Sequence, residues 1–259
     1  MNTFSRETGI CSFSAAHPFA FHVSDGETFW VETYDCYCGQ VTDSSVKRPA
    51  IDRSVANRST GPIEIVGAMP GDTLCIEIKD IELFPQGFMV SDNNMGFLGD
   101  TISVPETQIV PIRDGKALFS DTIHLPLTPM IGACGVVPKD GQEIHCAVPG
   151  DHGANMDCKM IKKNSKLYLP VAIPGAGLAI GDLHACMGDG ELSGTGIEIS
   201  GKVCVKASVL HAHEQERPIV ETKDALYFIA SATTIEDAMR LAASDAVRFL
   251  QRAFELPYD

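Results

Sequence analysis

A period of two constrains this chain more than any other feature. In Leu74-Cys75-Ile76-Glu77-Ile78-Lys79, the residues Leu74, Ile76 and Ile78 fall on one side while Glu77 and Lys79 fall on the other. That alternation belongs to a strand with one face in a core and one in water. Residues 29–34, 63–66, 108–112, 117–124, 167–171, 197–210 and 225–230 repeat it, separated by Gly, Pro, Asn and Asp. The 23 glycines and 15 prolines supply the turns that so many short strands need. The pattern predicts a mainly β fold, with a β-sandwich or barrel as its body.

One segment departs from the rule. Ile235, Met239, Ala242, Ala246, Phe249, Leu250 and Ala253 recur at three- and four-residue spacing, and Thr233-x-x-Glu236 has the form of a capping box. This predicts an amphipathic helix of about 20 residues. The polar stretch from Glu214 to Pro218 marks the expected boundary. Residues 1–214 are expected to form the β-rich catalytic body, and 215–259 a small C-terminal α+β element, a strand plus the helix packed on the body.

Charge narrows the class of partner. Twenty Lys and Arg against 34 Asp and Glu give a formal net charge of -14, which repels phosphate backbones and anionic lipid and argues against nucleic-acid or membrane-surface partners. The nine cysteines form an odd set with no regular framework, so reduced thiols in a cytoplasm are expected. Residues 1–17 lack the basic start and apolar run of a signal peptide, and residues 125–137 are interrupted by Pro126 and Pro129. The expectation is a soluble, cytoplasmic protein.

Two Gly-rich clusters concentrate acids, amides and a histidine: Pro149-Gly150-Asp151-His152-Gly153-Ala154-Asn155-Met156-Asp157, and residues 181–191, which carry Asp182, His184, Asp189 and Glu191. In an extended backbone i and i+2 share a face, so Asp182 with His184, and Asn155 with Asp157, form two pairs of donor atoms. Such pairs suit a divalent metal, zinc above all. They equally suit turns, in which Asp, Asn and His bond backbone groups. Asp35 and Asn57, beside expected strands, carry the same two readings. No Gly-x-Ser-x-Gly elbow, P-loop or dinucleotide fingerprint is present. Cys36-x-Cys38 lacks a second ligand pair at finger spacing and reads as core thiols, and Cys158, Cys186 and the His211-x-His213 pair read as core or solvated groups.

Ordered blocks carry more information than any of these motifs alone. Thr33-Tyr34-Asp35 with Gly39-Gln40-Val41, Thr60-Gly61-Pro62-Ile63, Pro70-Gly71-Asp72-Thr73-Leu74, Pro129-Met130-Ile131-Gly132, the two acidic clusters and Gly194-Thr195-Gly196-Ile197-Glu198 follow one another along the chain. In this order the chain resembles the acetamidase/formamidase family from about Phe21 onward. The resemblance implies a mainly β fold with a small α+β element. It also implies hydrolysis of small linear amides to ammonia and a carboxylate, metal dependence, and a homodimer or higher homo-oligomer. Two departures stand out: Ala154 occupies a position where the family usually has glycine, and the chain stops at Asp259, where family members often continue through another helix and strand.

Chemistry assigns roles beyond the resemblance. Asp182, His184, Asp157 and Asp35 are expected to hold a divalent metal, zinc first, with calcium or manganese as alternatives. Glu191 is expected to transfer a proton, His152 to bind or protonate, and Asn57 and Asn155 to orient the amide. The rival readings are a metal-free hydrolase with a Cys or carboxylate nucleophile, and a noncatalytic small-ligand or metal-binding β protein on the same scaffold.

Overall fold

The computed structural model describes residues 1–139, 141–213 and 215–256. Glu214, the first residue of the expected boundary, and residues 257–259 lie outside them. The described chain is mainly β, with one C-terminal α-helix. A seven-stranded sheet runs in the order Thr3–Phe4, Thr28–Thr33, Gly201–Leu210, Thr73–Leu83, Lys166–Pro170, Ile219–Glu221, Leu226–Phe228. Its spine is the antiparallel pair Thr73–Leu83 and Gly201–Leu210, with Ile76 opposite Ala207 and Leu74 opposite Val209. Leu74, Ile76 and Ile78 are buried and Lys79 is exposed, as the alternation requires.

The second sheet runs from His124–Pro126 through Lys116–Leu118, Glu106–Arg113, Gln86–Ser91, Glu198–Ile199, Leu178–His184 and Met130–Gly135 to Gly153–Asn155. Ser59–Ile65 joins it by pairing with Leu178–His184. Both sheets feed one core, in which Leu74, Ile76, Leu167 and Val205 of the first meet Ile63, Ile131, Ile180 and Leu183 of the second. Each such side chain contributes about 1.5–3 kcal/mol on burial, which is why the two sheets hold together.

Two expected strands divide. Residues 197–210 form Glu198–Ile199 in the second sheet and Gly201–Leu210 in the first, so the chain changes sheets at Ser200. Asp35 fastens that corner: its backbone N–H donates to Ser200 Oγ, and the Ser200 hydroxyl donates to Asp35 Oδ2, both at 3.0 Å. Residues 117–124 hold the end of Lys116–Leu118, a turn over 119–123 and the start of His124–Pro126, a hairpin closed where Ile123 N–H donates to Ser120 Oγ at 3.0 Å. Alternation reports which face a residue takes, and says nothing of where a strand bends or which sheet it joins.

The helix spans Ile235–Phe254. Its cap lies one residue later than the sequence suggests, since the Thr234 side chain accepts from Asp237 N–H at 3.1 Å. Phe249 packs edge-on against Phe228 at 5.6 Å between ring centroids, and Asp245 takes both bonds from Arg217 Nη1 at 3.0 and 3.1 Å. Ile235, Met239, Leu250 and Phe254 stay exposed. All nine cysteines are free. Among the described residues, no helix is long and apolar enough to cross a membrane.

Candidate active site

Leu178–His184 is buried along its whole length, so its two polar residues sit where water does not reach. Its ladder with Met130–Gly135 pairs Ile131 with Leu183 and Ala133 with Gly181, passing over Gly132 and Asp182. At that irregularity Asp182 is left-handed, with φ +57°. Asn57, Ala154, Asp157 and Glu191 are left-handed too, at +55°, +69°, +45° and +44°. Such conformations are sparsely populated for residues other than glycine and gather where a site needs side chains aimed inward. Ala154 thus occupies a backbone position that glycine takes more easily, which is the physical content of that departure from the family pattern.

Asp182 and His184 do meet, though the cause is not the shared face of an extended strand, since Asp182 is not extended. His184 Nε2 lies 3.4 Å from Asp182 Oδ1, 3.2 Å from Glu198 Oε1 and 4.0 Å from Asp157 Oδ1. A chain of amides fixes the acids around it. Asn57 Nδ2 donates to Asp182 Oδ2 and to Asn155 Oδ1, and Asn155 Nδ2 donates to Asp157 Oδ2, each at 2.8 Å. Both amide hydrogens of Asn57 are therefore engaged by protein. Glu198 Oε1 accepts from Gly196 N–H at 3.0 Å. The Glu191 carboxylate comes from the short 3-10 turn Asp189–Glu191 and approaches the Asp157 and His184 donor atoms within 4.8 Å.

The electrostatics are those of too many acids in a dry place. Burial raises the Asp182 carboxyl to about 6, helped by Glu198, and raises Asp157 to about 6, helped by Asp182. Burial raises Glu191 to about 8, with Asp157 and Glu198 adding to the rise, so it carries a proton at neutral pH. Burial alone would lower the His184 imidazole, yet the Glu198 and Asp182 carboxylates carry it well above its usual range.

Among the described residues, Asp157 Oδ1, Asp182 Oδ1, Glu198 Oε2 and His184 Nδ1 are buried without a hydrogen-bond partner. Buried carboxylate oxygens left unpaired are costly, and a cation between them removes the cost. The donor atoms fall into two compact groups, Cys36 with Asp182 and Glu198, and Asp157 with His184 and Glu191, each within 4.8 Å. Imidazole, thiol and carboxylate are the ligand types a divalent metal takes, so these residues fit one. Burial and the neighbouring Glu198 keep the Cys36 thiol well above its ordinary pKa, so its thiolate would form only with a cation present.

Two glycines keep the space clear. A Cβ on Gly132 would lie 2.5 Å from Asp182 Oδ2 and 2.8 Å from Asp157 Oδ1, and one on Gly196 would lie 2.6 Å from His184 Nδ1. Gly132, Glu198 and Cys36 carried no role in the sequence reading. Gly132 and Glu198 stand inside family-like blocks, and Cys36 follows Asp35, but nothing in their spacing places them beside Asp182.

Two expected site residues lie apart from this centre. Asp35 accepts from Tyr37 N–H at 3.0 Å, from Gly39 N–H at 3.1 Å and from the Ser200 hydroxyl, so its carboxylate is taken up by a turn and a sheet corner. His152 packs edge-on against Phe13 at 5.2 Å and lines a separate cleft with Pro70, Lys139 and Arg217. Burial lowers its imidazole to about 4.

Comparison with known proteins agrees with this architecture. The Acetamidase/Formamidase family profile matches residues 12–143 and 139–234. The structure superimposes with a TM-score of 0.94 on a recombinant predicted acetamidase/formamidase from the thermophile Thermoanaerobacter tengcongensis, 37% identical, over 96% of this chain and 83% of that one. With an acetamidase from Bacillus halodurans the TM-score is 0.93 at 38% identity, over 96% and 84% of the two chains. A formamidase of Methylophilus methylotrophus is 28% identical over 251 residues, a match that takes in 74% of this chain and 62% of that longer protein. With far more than half its length matched by the family profile, the chain belongs to the acetamidase/formamidase family.

Proposed function

We propose that this chain hydrolyses small linear amides to a carboxylate and ammonia at the centre formed by Asp157, Asp182, His184, Glu191 and Glu198. The observation that carries this reading is the convergence of the unpartnered, buried carboxylate oxygens Asp157 Oδ1 and Asp182 Oδ1 on the His184 imidazole beside Glu191. Family membership and relatives described as formamidase and acetamidase support it.

Cys36, Asp182, Glu198 and His184 would hold a divalent cation, with Asp157 and Glu191 beside it, and zinc is our choice because imidazole and thiol accompany the carboxylates. Bound there, the cation supplies Lewis acidity toward a carbonyl oxygen and toward water. The side chains divide the remaining work. Asp157, raised to about 6, is mostly ionised at neutral pH and accepts the proton of the attacking water. Glu191, whose carboxyl burial raises above the ordinary carboxylate range, is the group that delivers a proton to the departing nitrogen as the C–N bond breaks. Asn57 and Asn155 hold the carboxylates in place, and Asp35 acts by fixing the corner from which Glu198 emerges. A cytoplasmic setting, supported by the free thiols, and a homo-oligomer complete the proposal.

Ammonia release from formamide, acetamide and propionamide tests this reading, on the protein as isolated, after chelation, and after return of zinc, manganese or calcium. Turnover lost on chelation and restored by one metal is expected. Turnover that resists chelation and yields to thiol reagents would replace the metal with a nucleophile on the same fold. No ammonia from any amide, in a folded and metal-loaded protein, would leave a binding protein.

A further inference from the structure

Glu191 is half-buried. With Gly196 it lines an open cleft of about 630 Å³ whose apolar lining includes Met89, Leu125, Pro126, Met187, Leu192 and Ile197. Two polar side chains of that lining bond backbone carbonyls, and a third stands in a solvent-facing ion pair. Ser193 Oγ donates to the Thr195 carbonyl at 2.9 Å, Thr195 Oγ1 donates to the Val90 carbonyl at 3.4 Å, and Asp189 is paired with Lys159 Nζ at 2.7 Å. Leu192, the neighbour of Glu191, is 61% exposed, an apolar side chain in the lining of the cleft.

The volume is also out of proportion to a short amide. Four heavy atoms, as in acetamide, need on the order of 100 Å³ at about 30 Å³ per water-sized group. A cleft of several hundred Å³ with apolar walls and one polar end suits a ligand with an apolar body and one polar head. The polar group that links this cleft to the centre is the Glu191 carboxyl, which lies in its lining and within 4.8 Å of the Asp157 and His184 donor atoms.

We propose that the acyl group of the substrate lies along this apolar cleft, and that the preferred substrates are primary amides with linear alkyl acyl groups of about four carbons or more. The inference rests on the amidase reading and names its substrate class. The carboxamide sits at Glu191 and the alkyl chain runs past Met187 toward Leu125 and Leu192. Formamide and acetamide reach the acid but leave the walls uncovered, so they gain nothing from the cleft.

The test is a ladder of kcat/KM, by ammonia release, for formamide, acetamide, butanamide and hexanamide on the full chain supplied with its activating metal. Each methylene that enters the cleft should raise kcat/KM about fourfold. Leu192→Asp, a substitution at an exposed side chain, should lower the ratio of hexanamide to formamide kcat/KM at least about tenfold. That ratio is insensitive to any fraction of the variant that fails to fold. A kcat/KM that is highest for formamide or acetamide and declines with length would overturn this inference while leaving the amidase reading intact. An unchanged ratio in Leu192→Asp would overturn it as well. Ammonia from none of the four would overturn both.

Discussion

Gly132 has no Cβ, and the site needs that absence. A methyl built there would stand 2.5 Å from Asp182 Oδ2 and 2.8 Å from Asp157 Oδ1, where ordinary contact begins at 3.4 Å. Gly132→Ala therefore asks the Asp182 carboxylate to retreat by about 1 Å and Asp157 by about half that. Neither can do so freely. Asp182 is held by Asn57 at 2.8 Å and is 2% exposed, while the Gly132 carbonyl itself accepts from Met156 N–H at 3.0 Å. Overpacking of this kind costs about 1–3 kcal/mol of stability, little enough for the sheet to survive. Displacing reacting groups by about 1 Å costs on the order of 100-fold in rate. The expected result is a folded variant, by circular dichroism and a modestly lower Tm, with kcat/KM for ammonia release down about 100-fold and weaker zinc binding in a chelator competition. A folded Gly132→Ala protein with kcat/KM within about threefold of the parent would refute the reasoning, because the carboxylates would then not need the positions they hold.

Asp182→Asn should lower turnover about 100-fold or more and, in the presence of chelator, raise Tm, because it removes one charge from a crowded buried group; a lower Tm without metal would contradict that account. His152 is held near 4 by burial, against about 6.5 in an unfolded chain, so the unfolded state takes up its proton first as the pH falls. The stabilisation is complete above about pH 6.5 and is lost as the pH falls toward 4, about 3 kcal/mol in all. Urea midpoints across that window should fall steeply for the parent and less steeply for His152→Phe, and equal slopes would refute the assignment. Thr234→Ala removes the bond from Asp237 N–H and should cost about 1 kcal/mol in urea denaturation; no loss would show that the cap does not hold the helix.

Local patterns along the chain are enough to give the class of the fold and the kinds of atom the site uses. Alternation in Leu74–Lys79 is a local property of the chain, and local steric preference makes it a strand whatever it packs against. The helical spacing after Thr234 is equally local, and misplaced the cap by only one residue because two adjacent threonines offer the same hydroxyl. The two acidic clusters announced carboxylates and a histidine, and Asp182, His184, Asn155 and Asp157 do gather at one centre.

Tertiary structure alone decided the company they keep. Asn57 reaches Asp182 across 125 residues of chain because Ser59–Ile65 pairs with Leu178–His184. Glu198 enters because the chain changes sheets at Ser200, and Gly132 matters only because its strand passes opposite a left-handed Asp182. His152, inside a cluster, and Asp35, beside an expected strand, carry the right chemistry, yet the fold turns one toward Phe13 and the other into a corner. A period of two fixes which face of a strand a residue takes. Partner and register are set by the burial of whole sheets, and that energy is not written in any short stretch of sequence.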